Sequence, residues 1–386
     1  MLMRRSLPHV IVIGAGIVGA ATAYYLSRAG ATVTLLEADT PSAGATGASD
    51  GAVSVASKRP GTMMRLAREA RDLYVRLAHD GTLAGVFFAR PTYLIARHPL
   101  EVELIETQGR NLTSLGEPCL ALSRAELLQR MPGLGAAVLA GLKVQHDGHA
   151  IGYQVVHRLL ACAHVVPRRH TAVRQLLVVG GRVLGVETSQ GTITADSVVV
   201  AAGLGSAALL GLDDVLIPRQ GQLIITDRAT ASGPALPGPL MSASYLAAKR
   251  TTAPDQCSVS LVIDPLQTGQ FLIGSSREAG RSDRATDVRT VAAMLREALA
   301  AYPPLARQRV IRTFAGVRAT TRDGLPIVGR HPTLNGLVIA TGMQGDGICL
   351  GPLLGAAAAQ LACDVEPCVD IVALSPQRFA SMEIGA

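Results

Sequence analysis

The stretch HVIVIGAGIVGAATAYYLSRAG, residues 9–30, decides the fold of this chain. It begins with a short run of β-branched residues, turns on closely spaced glycines and continues as an apolar helix that is capped at Gly30. A second β-rich run, TVTLLE at residues 32–37, follows and ends on Glu37. This order of strand, turn, helix and strand predicts the first unit of a nucleotide-binding α/β domain.

The three glycines of the turn have separate roles. Gly14 permits the tight bend, Gly16 lets the backbone approach a pyrophosphate, and Gly19 lets the helix pack closely on the strand. The helix N-terminus offers free N–H groups and a partial positive charge to the phosphates. Glu37 would accept hydrogen bonds from ribose hydroxyls and repel a 2′-phosphate, which argues against NADP.

Composition is that of a packed globular enzyme. Of 386 residues, 48% are hydrophobic and 17% are charged, so the chain can bury large cores. Aromatic residues make up only 3% and Trp is absent, so stacking platforms for single-stranded nucleic acid are not expected. The net charge of +7 comes from scattered arginines without a long basic run, which favours a solvated surface over nucleic-acid binding.

Cysteine spacing and hydropathy limit the cellular context. The six cysteines form no CxxC pair and no zinc spacing, so we expect reduced thiols in a cytoplasmic protein without a metal site. Arg4 and Arg5 before the first apolar run imitate a signal peptide, but the glycines inside that run favour a nucleotide-binding strand. We expect no transmembrane segment, since no other apolar run reaches the roughly 20 residues that a span requires.

The remaining sequence predicts a discontinuous architecture. Residues 44–61, GATGASDGAVSVASKRPG, are expected to form a loop wrapped around a ligand, and a three-stranded meander is expected to end in the apolar run at 198–203. Residues 216–278 contain several β-like runs that predict a separate, largely antiparallel domain. Near the C-terminus a second glycine-rich turn, GMQGDGICLGPLLG at 342–355, opens another helix. Other helices are expected at 62–80, 154–165 and 286–301.

The order of these motifs resembles the glycine oxidase and D-amino-acid oxidase family of FAD enzymes. The resemblance spans nearly the whole chain and rests on GAGIVG with Glu37, GATGASDG, VVVAAGLGS, GQLIITD and GVRATTRDGLPIVGR…GLVIATGMQGDGICLGPLLG. Within the family, SDGAVSVASKRPG is similar to the FAD-bearing β subunits of heteromeric dehydrogenases that act on hydroxyproline, proline or opines.

The family implies an α/β fold with two domains. One is a discontinuous, Rossmann-like FAD-binding domain of the glutathione-reductase type, and the other is an α+β substrate domain with an antiparallel sheet. The FAD-binding domain would comprise residues 1–85, 145–215 and 310–386, and the substrate-binding domain residues 86–144 and 216–309.

The resemblance implies FAD rather than NAD, and the second glycine turn agrees with it. NAD needs one phosphate-binding turn, whereas a flavin has a second polar edge, N1 and O2, that becomes negative on reduction. The N-terminus of a helix at 345–352 would stabilise that charge. By analogy with the family, the residues expected to bind FAD are Gly14, Ala15, Gly16, Ile17, Val18, Gly19, Glu37, Ala38, Ala45, Thr46, Ser49, Gly51, Ala52, Val53, Val173, Ala202, Gly203, Gly342, Gly345, Asp346, Gly347 and Ile348.

A single arginine is the predicted substrate handle. In the family pattern the Arg of a GxRP motif pairs with the substrate carboxylate, and Arg318 in GVRAT holds that position. Its planar fork suits a carboxylate, and a surface salt bridge is the structural alternative. Ala319 replaces the usual Pro, and Met343 and Gln344 stand where the glycine oxidase pattern has His and Arg. Loss of that second cation favours a substrate other than free glycine.

Two further side chains are candidates for the site. Lys58, with Arg59, would supply charge for a second carboxylate, as in an opine, or would lie on a solvated loop. Tyr245 would orient the amine or have a structural role. No histidine is assigned a catalytic role.

The resemblance, together with these residues, implies oxidative deamination or dehydrogenation of an amino or imino acid of the hydroxyproline, D-amino-acid or opine type. Hydride would pass from the Cα–H, or from the N-linked carbon, to flavin N5 and leave an imine. The alternatives are an oxygen-dependent glycine or sarcosine oxidase, an NAD-linked dehydrogenase and a non-catalytic dinucleotide-binding protein. The electron acceptor would be a quinone, oxygen or the cofactor of a partner subunit, in a heteromeric complex that is cytoplasmic or attached peripherally at the inner membrane face.

Overall fold

The structure, a computed structural model, describes residues 8–230, 233, 235–248 and 257–379. The elements of its first half are β1 (His9–Ile13), α1 (Ile17–Arg28), β2 (Thr32–Leu36), β3 (Ala52–Val53), α2 (Thr62–His79), β4 (Phe87–Ala89), β5 (Thr92–Ala96), α3 (Pro99–Ser114), β6 (Cys119–Ser123), α4 (Arg124–Arg130), β7 (Ala140–Val144), β8 (Gly148–Ala150) and α5 (Gly152–Ala163). Those of its second half are β9 (Val173–Val179), β10 (Arg182–Thr188), β11 (Gly191–Thr194), β12 (Ser197–Val200), α6 (Ser206–Leu210), β13 (Leu216–Thr226), β14 (Leu240–Ser242), α7 (Ser244–Ala248), β15 (Ser258–Pro265), β16 (Phe271–Ala279), α8 (Val288–Ala301), β17 (Val310–Thr321), β18 (Ile327–Arg330), β19 (Leu337–Thr341) and α9 (Gly347–Ala362).

β1 lies inside a five-stranded sheet of order β18-β19-β12-β1-β2, which is parallel except for β18. Alternate residues of β1 enter different cores: Val10 and Val12 pack with α1 and α9, whereas Ile11 and Ile13 pack with residues of the antiparallel sheet β11-β10-β9. Helices, parallel sheet and antiparallel sheet therefore form three layers. This confirms the predicted Rossmann-like, glutathione-reductase-type domain, which is discontinuous because its central sheet takes strands from distant parts of the chain.

The last strand of the predicted meander is two separate strands in the structure. β9, β10 and β11 form the three-stranded sheet, and β12 leaves it to pair with β1 and β19 in the parallel sheet. A carboxylate marks the break between β11 and β12, where Asp196 Oδ2 accepts a 2.8 Å hydrogen bond from the His9 backbone N–H. All four residues of β12 are buried, and only a central strand covered on both faces can bury an uninterrupted apolar run.

A second sheet, of eight strands, has the order β17-β13-β16-β15-β14-β5-β7-β6 and is antiparallel except between β14 and β5. One core cluster joins it to α8 and α4 through side chains such as Ile273 and Met294. β17 pairs with the whole of β13, Leu216 to Thr226, so β17 lies in the large sheet. The domain boundaries predicted from the sequence place β17 in the FAD-binding domain. We propose that the substrate domain includes β17 and otherwise keep the predicted division.

The helices predicted from periodicity occur close to the expected positions, as α2, α5 and α8. α2 turns Met64, Leu66 and Tyr74 inward, which is the apolar stripe that its sequence predicts. Gly30 adopts the positive φ of 87° expected of a helix C-terminal glycine. Within the described ranges no helix is long and apolar enough to cross a membrane.

Candidate active site

A cavity of about 1160 Å³ lies where the carboxyl edge of the parallel sheet faces the large sheet. Its wall includes the first glycine turn, the loop at 44–61, the strands β13, β16 and β17, and the second glycine turn before α9. Of the residues predicted to bind FAD or substrate, those lining it are Gly14, Gly16, Ile17, Val18, Glu37, Ala45, Thr46, Ser49, Lys58, Ala202, Gly203, Tyr245, Arg318, Gly342, Met343, Gln344, Gly345, Asp346, Gly347 and Ile348.

The first glycine turn is packed too closely to accept a side chain at Gly14 or Gly19. Gly14 has φ of +99°, and a Cβ there would lie 2.6 Å from the Ala201 carbonyl oxygen at the end of β12. A Cβ on Gly19 would lie 1.8 Å from the Gly14 carbonyl oxygen, so α1 can approach the turn only with glycine at this position. α1 begins after Gly16 without a side-chain cap. Its first backbone N–H, from Ile17, donates to Thr46 Oγ1 at 3.1 Å, which ties the loop at 44–61 to the helix N-terminus.

Glu37 has a structural role in addition to the predicted one. Its Oε2 accepts the Ala15 backbone N–H at 2.8 Å and its Oε1 accepts the Asp39 N–H at 2.9 Å. The carboxylate therefore links the end of β2 to the glycine turn while it lines the cavity. A carboxylate has about four acceptor positions, so accepting these two N–H groups leaves capacity for ribose hydroxyls.

Some predicted cofactor residues do not line the cavity and instead support its wall. β3, formed by Ala52 and Val53, pairs with β8, and Gly51 packs so closely that a Cβ would lie 2.6 Å from His149 Nε2. Val173 lies in β9 opposite Thr188. The predicted residues that lie outside the lining are Ala15, Gly19, Ala38, Gly51, Ala52, Val53 and Val173.

The second glycine turn brings the N-terminus of α9 to the cavity. Gly342 has φ of +70°, and α9 starts after Asp346, whose side chain does not cap the helix. Asp346 Oδ1 instead lies 2.5 Å from Lys58 Nζ, and Lys58 is only 6% exposed. Burial alone would lower the pKa of Lys58, but the Asp346 carboxylate outweighs it and raises that pKa above the ordinary value. Lys58 is therefore a cation that already has a carboxylate partner.

Met343 and Gln344 belong to the turn itself. Met343 is buried against the main core cluster, and Gln344 has φ of +54°. The Gln344 amide nitrogen donates to Thr321 Oγ1 at 2.7 Å, which ties the turn to the end of β17. The structure thus gives these two residues a role in shaping the wall, and we keep contact with substrate as a proposal.

Arg318 lies flat across the large sheet. Its Nη1 is 3.5 Å from the Gln220 carbonyl oxygen on β13 and 3.4 Å from the Ser276 carbonyl oxygen on β16. The side chain crosses β13 above Gly221, where a Cβ would lie 2.2 Å from Arg318 Nη1. Within the described ranges, no carboxylate forms a salt bridge with Arg318, so the surface-salt-bridge alternative finds no support there.

Tyr245 is fixed by a second arginine. The Arg277 guanidinium carbon lies 4.2 Å from the centre of the Tyr245 ring, and Arg277 Nη1 donates to Ser260 Oγ at 2.9 Å. Sequence reasoning missed Arg277, Arg219 and Gly221, which all line the cavity. Arg219 and Gly221 could have been found from the alternation of residues in PRQGQL. In a strand every second residue faces the same side, and Arg219, Gly221 and Leu223 share one face of β13.

The cavity suits an extended dinucleotide such as FAD. The N-termini of α1 and α9 lie at separate places in the cavity wall. The partial positive charge of the first suits a pyrophosphate, and that of the second suits an anionic edge of a ring. Ser42 also lines it, and among the described residues its buried Oγ has no hydrogen-bond partner. Gly14 and Gly16 leave the backbone bare where a phosphate would approach.

Comparison with known proteins agrees with this geometry. The family model of FAD dependent oxidoreductases, DAO, matches residues 9–361. The chain is 27% identical over 387 residues to the glycine oxidase of Geobacillus kaustophilus, covering 96% of each. It is 28% identical over 409 residues to D-amino acid dehydrogenase 2 of Ralstonia nicotianae, covering 89% of this chain and 93% of the relative. The crystal structure of L-proline dehydrogenase from P. horikoshii has the same fold, with a TM-score of 0.85, 21% identity and coverage of 98% of this chain and 100% of that one.

A three-layer domain whose two glycine turns meet one cavity defines an FAD-dependent oxidoreductase. The chain belongs to the DAO family of FAD dependent oxidoreductases. It is therefore an FAD-dependent oxidoreductase.

Proposed function

We propose that this enzyme dehydrogenates an α-amino or imino acid whose carboxylate is held by Arg318, and that the imine product is then hydrolysed. The observation that carries the proposal is the position of Arg318. It lies in the cavity that both glycine turns line, and within the described ranges its guanidinium makes only long hydrogen bonds to backbone carbonyls. A guanidinium in such a place binds a carboxylate through two parallel hydrogen bonds.

The residues of the chain have distinct roles in this scheme. Arg318 would fix the carboxylate and so orient the adjacent carbon beside the second glycine turn, since a Cβ built on Gly345 would lie 3.5 Å from Arg318 Nε. The N-terminus of α9 places positive charge at the same end of the cavity. Bound FAD supplies the acceptor for a hydride from the carbon that bears nitrogen. Because the amine is neutral, the reaction needs no strong base. Water then hydrolyses the imine to a carbonyl group and an amine, which separate for an acyclic substrate and stay in one molecule for a cyclic one.

The proposed substrates are a hydroxyproline, a D-amino acid or an opine. Met343 and Gln344 support this choice, because the first is packed in the core and the second is bonded to Thr321, so neither provides the second cation of the glycine oxidase pattern. A glycine or sarcosine oxidase is the second candidate, favoured by the similarity to the Geobacillus kaustophilus glycine oxidase. We keep the FAD contacts and the role of Tyr245 as proposals.

A dye-reduction screen tests the proposal. The holoenzyme, recognised by flavin absorbance near about 450 nm, is offered D- and L-amino acids, hydroxyprolines, sarcosine and opines. Replacing Arg318 with Ala should raise the KM for the best substrate by about tenfold to hundredfold, because a charged hydrogen-bonded pair is lost. The matched control is Arg312→Ala, which removes an exposed arginine from the same strand. Equal kinetics for the two variants would refute the role of Arg318.

The electron acceptor and partner subunits need separate experiments. We propose that the chain passes electrons to a quinone, to oxygen or to the cofactor of a partner subunit in a heteromeric complex. Oxygen consumption by the purified chain identifies an oxidase. Co-purification with tagged neighbouring subunits supports the complex, and a fully active isolated chain contradicts it.

A further inference from the structure

Three guanidinium groups share the substrate wall of the cavity. Arg219 on β13 is the direct cross-strand partner of Arg318 on β17, and Arg277 lies on β16, the other neighbour of β13. All three line the cavity and are partly buried. Neighbouring strands are about 4.8 Å apart, so these charges lie close together on one face.

The cavity wall provides little negative charge to balance them. Of the acidic residues that line it, Asp346 pairs with Lys58, Asp323 pairs with Arg378, and Glu37 holds backbone N–H groups at the first glycine turn. The remaining one, Asp50, forms no salt bridge within the described ranges; its charge acts to raise the pKa of Arg318 but is a single carboxylate against three guanidiniums. Burial and the nearby charge of Arg277 lower the pKa of both Arg219 and Arg318, which is the electrostatic cost of gathering like charges.

A single substrate carboxylate bound to Arg318 would leave most of the positive charge of the three arginines unbalanced. Arg318 is the arginine beside the second glycine turn, where a Cβ on Gly345 would lie 3.5 Å from Arg318 Nε. We therefore expect Arg318 to bind the carboxylate next to the reacting carbon. Arg219 on β13 and Arg277 on β16 lie on the two strands that the Arg318 side chain reaches, so a second anionic group of the same molecule would meet their guanidiniums beside that of Arg318.

We propose that Arg219 and Arg277 form a second carboxylate subsite and that the substrate is an amino or imino acid with two carboxylates. This inference rests on the proposed function and narrows its substrate class. The ring of Tyr245 stacks against Arg277 and holds that guanidinium in place. The second carboxylate belongs either to the side chain of the amino acid or to an arm on its nitrogen, and both sources offer the same chemistry to the two arginines.

The first experiment compares substrates that differ only in charge. Glutamate is compared with glutamine, in both enantiomers, for the side-chain source, and N-(carboxymethyl)alanine with N-(carbamoylmethyl)alanine for the nitrogen-linked source. We expect the dicarboxylate of one pair to have the higher kcat/KM. Arg219→Gln and Arg277→Gln should each reduce that preference by about tenfold to hundredfold. Arg289→Gln, which removes an exposed arginine from α8, should leave the preference unchanged.

The second experiment separates this inference from the proposed function. Glutarate and its monoamide lack an amine, so the holoenzyme cannot oxidise them, and calorimetry measures their binding directly. We expect glutarate to bind wild type about tenfold or more tighter than it binds Arg219→Gln, and to bind tighter than the monoamide. That result would support the subsite even if the holoenzyme reduced the dye with none of the amino acids tested. A negative dye-reduction screen would reject only the proposed function. Equal glutarate binding by wild type and Arg219→Gln overturns the subsite, whatever the substrate screen finds.

Discussion

Gly221 and Arg318 act together at the substrate wall. The guanidinium lies over the bare backbone of Gly221, and from there its Nη1 reaches carbonyl oxygens on two neighbouring strands. Any side chain at position 221 would occupy the same space. The position of Arg318 thus depends on the missing side chain at Gly221 as much as on the hydrogen bonds of Arg318 itself.

Replacing Gly221 with Ala should therefore weaken substrate binding. The added methyl group would displace the guanidinium, and we expect KM for the best substrate to rise by about tenfold while the enzyme stays folded and yellow. In an Arg318→Ala background the same replacement should add little, since the displaced group is already gone. A KM unchanged by Gly221→Ala alone would contradict the coupling.

His149 is a buried neutral imidazole beneath the loop that contains Asp50. It is 2% exposed, and its Nε2 lies 3.1 Å from the Asp50 carbonyl oxygen. Burial, aided by the charge of Arg90, lowers the pKa of His149 from 6.5 to about 3. Between these two values the unfolded chain binds a proton that the folded chain excludes.

Stability should consequently fall as the pH falls below 6.5. From pH 7 to pH 5 we expect His149 to reduce the free energy of unfolding by roughly 1 to 2 kcal/mol, with the loss complete only near its folded pKa. Urea unfolding of wild type and His149→Gln at both pH values measures this contribution. The slope should shrink in His149→Gln and persist in His157→Gln, which changes an exposed histidine of α5. Identical slopes in all three proteins would show that His149 does not carry the effect.

At the scale of elements, the position of α9 depends on its packing against α1. A Cβ on Gly355 would lie 2.6 Å from Ala21 Cβ and 2.8 Å from the Val18 carbonyl oxygen. For a Cβ on Gly351 the three nearest atoms all belong to the side chain of Ile17, the first at 2.7 Å. The two glycines let the helices approach, and so place the N-terminus of α9 at the end of the cavity where we propose that the flavin binds.

Gly355→Ala should push α9 away from α1. We expect a loss of about 1 to 3 kcal/mol in stability and a higher dissociation constant for FAD, although Ala is intrinsically the better helix former. Gly351→Ala should cost less, because the Ile17 side chain can move whereas the Val18 backbone cannot. Urea unfolding and flavin fluorescence measure both effects. The packing argument fails if the two variants behave alike.

Other elements show where local sequence stops being informative. α2 was predictable because its apolar residues recur at helical spacing. β12 was misplaced because an apolar strand looks the same in a hairpin and in a parallel sheet, and only its partners β1 and β19 distinguish the two. The place of β17 in the large sheet could not be predicted for a similar reason, since its pairing with β13 joins residues about one hundred positions apart.

At the scale of the molecule, the cavity lies between two sheets, and its wall takes residues from many separate segments. Bound FAD would therefore contact distant parts of the chain at once. Adding FAD to the apoprotein at about 100 times its dissociation constant should stabilise the fold by about 2.7 kcal/mol. Thermal melts with FAD and with NAD test this, and only FAD should raise the midpoint. A shift of equal size with NAD would contradict the fit of the cavity to FAD.

The sequence by itself determined the nucleotide-binding turn, the second glycine turn and the acid at residue 37, because these motifs depend on residues close together in the chain, and the resemblance to the family indicated the arginine at residue 318. Tertiary structure alone decided that Arg219 and Arg277 face the same cavity as Arg318, that Lys58 is paired with Asp346, and that Gly221 makes room for the guanidinium. The reason is physical: cross-strand register and the approach of two sheets bring together residues that no local periodicity connects.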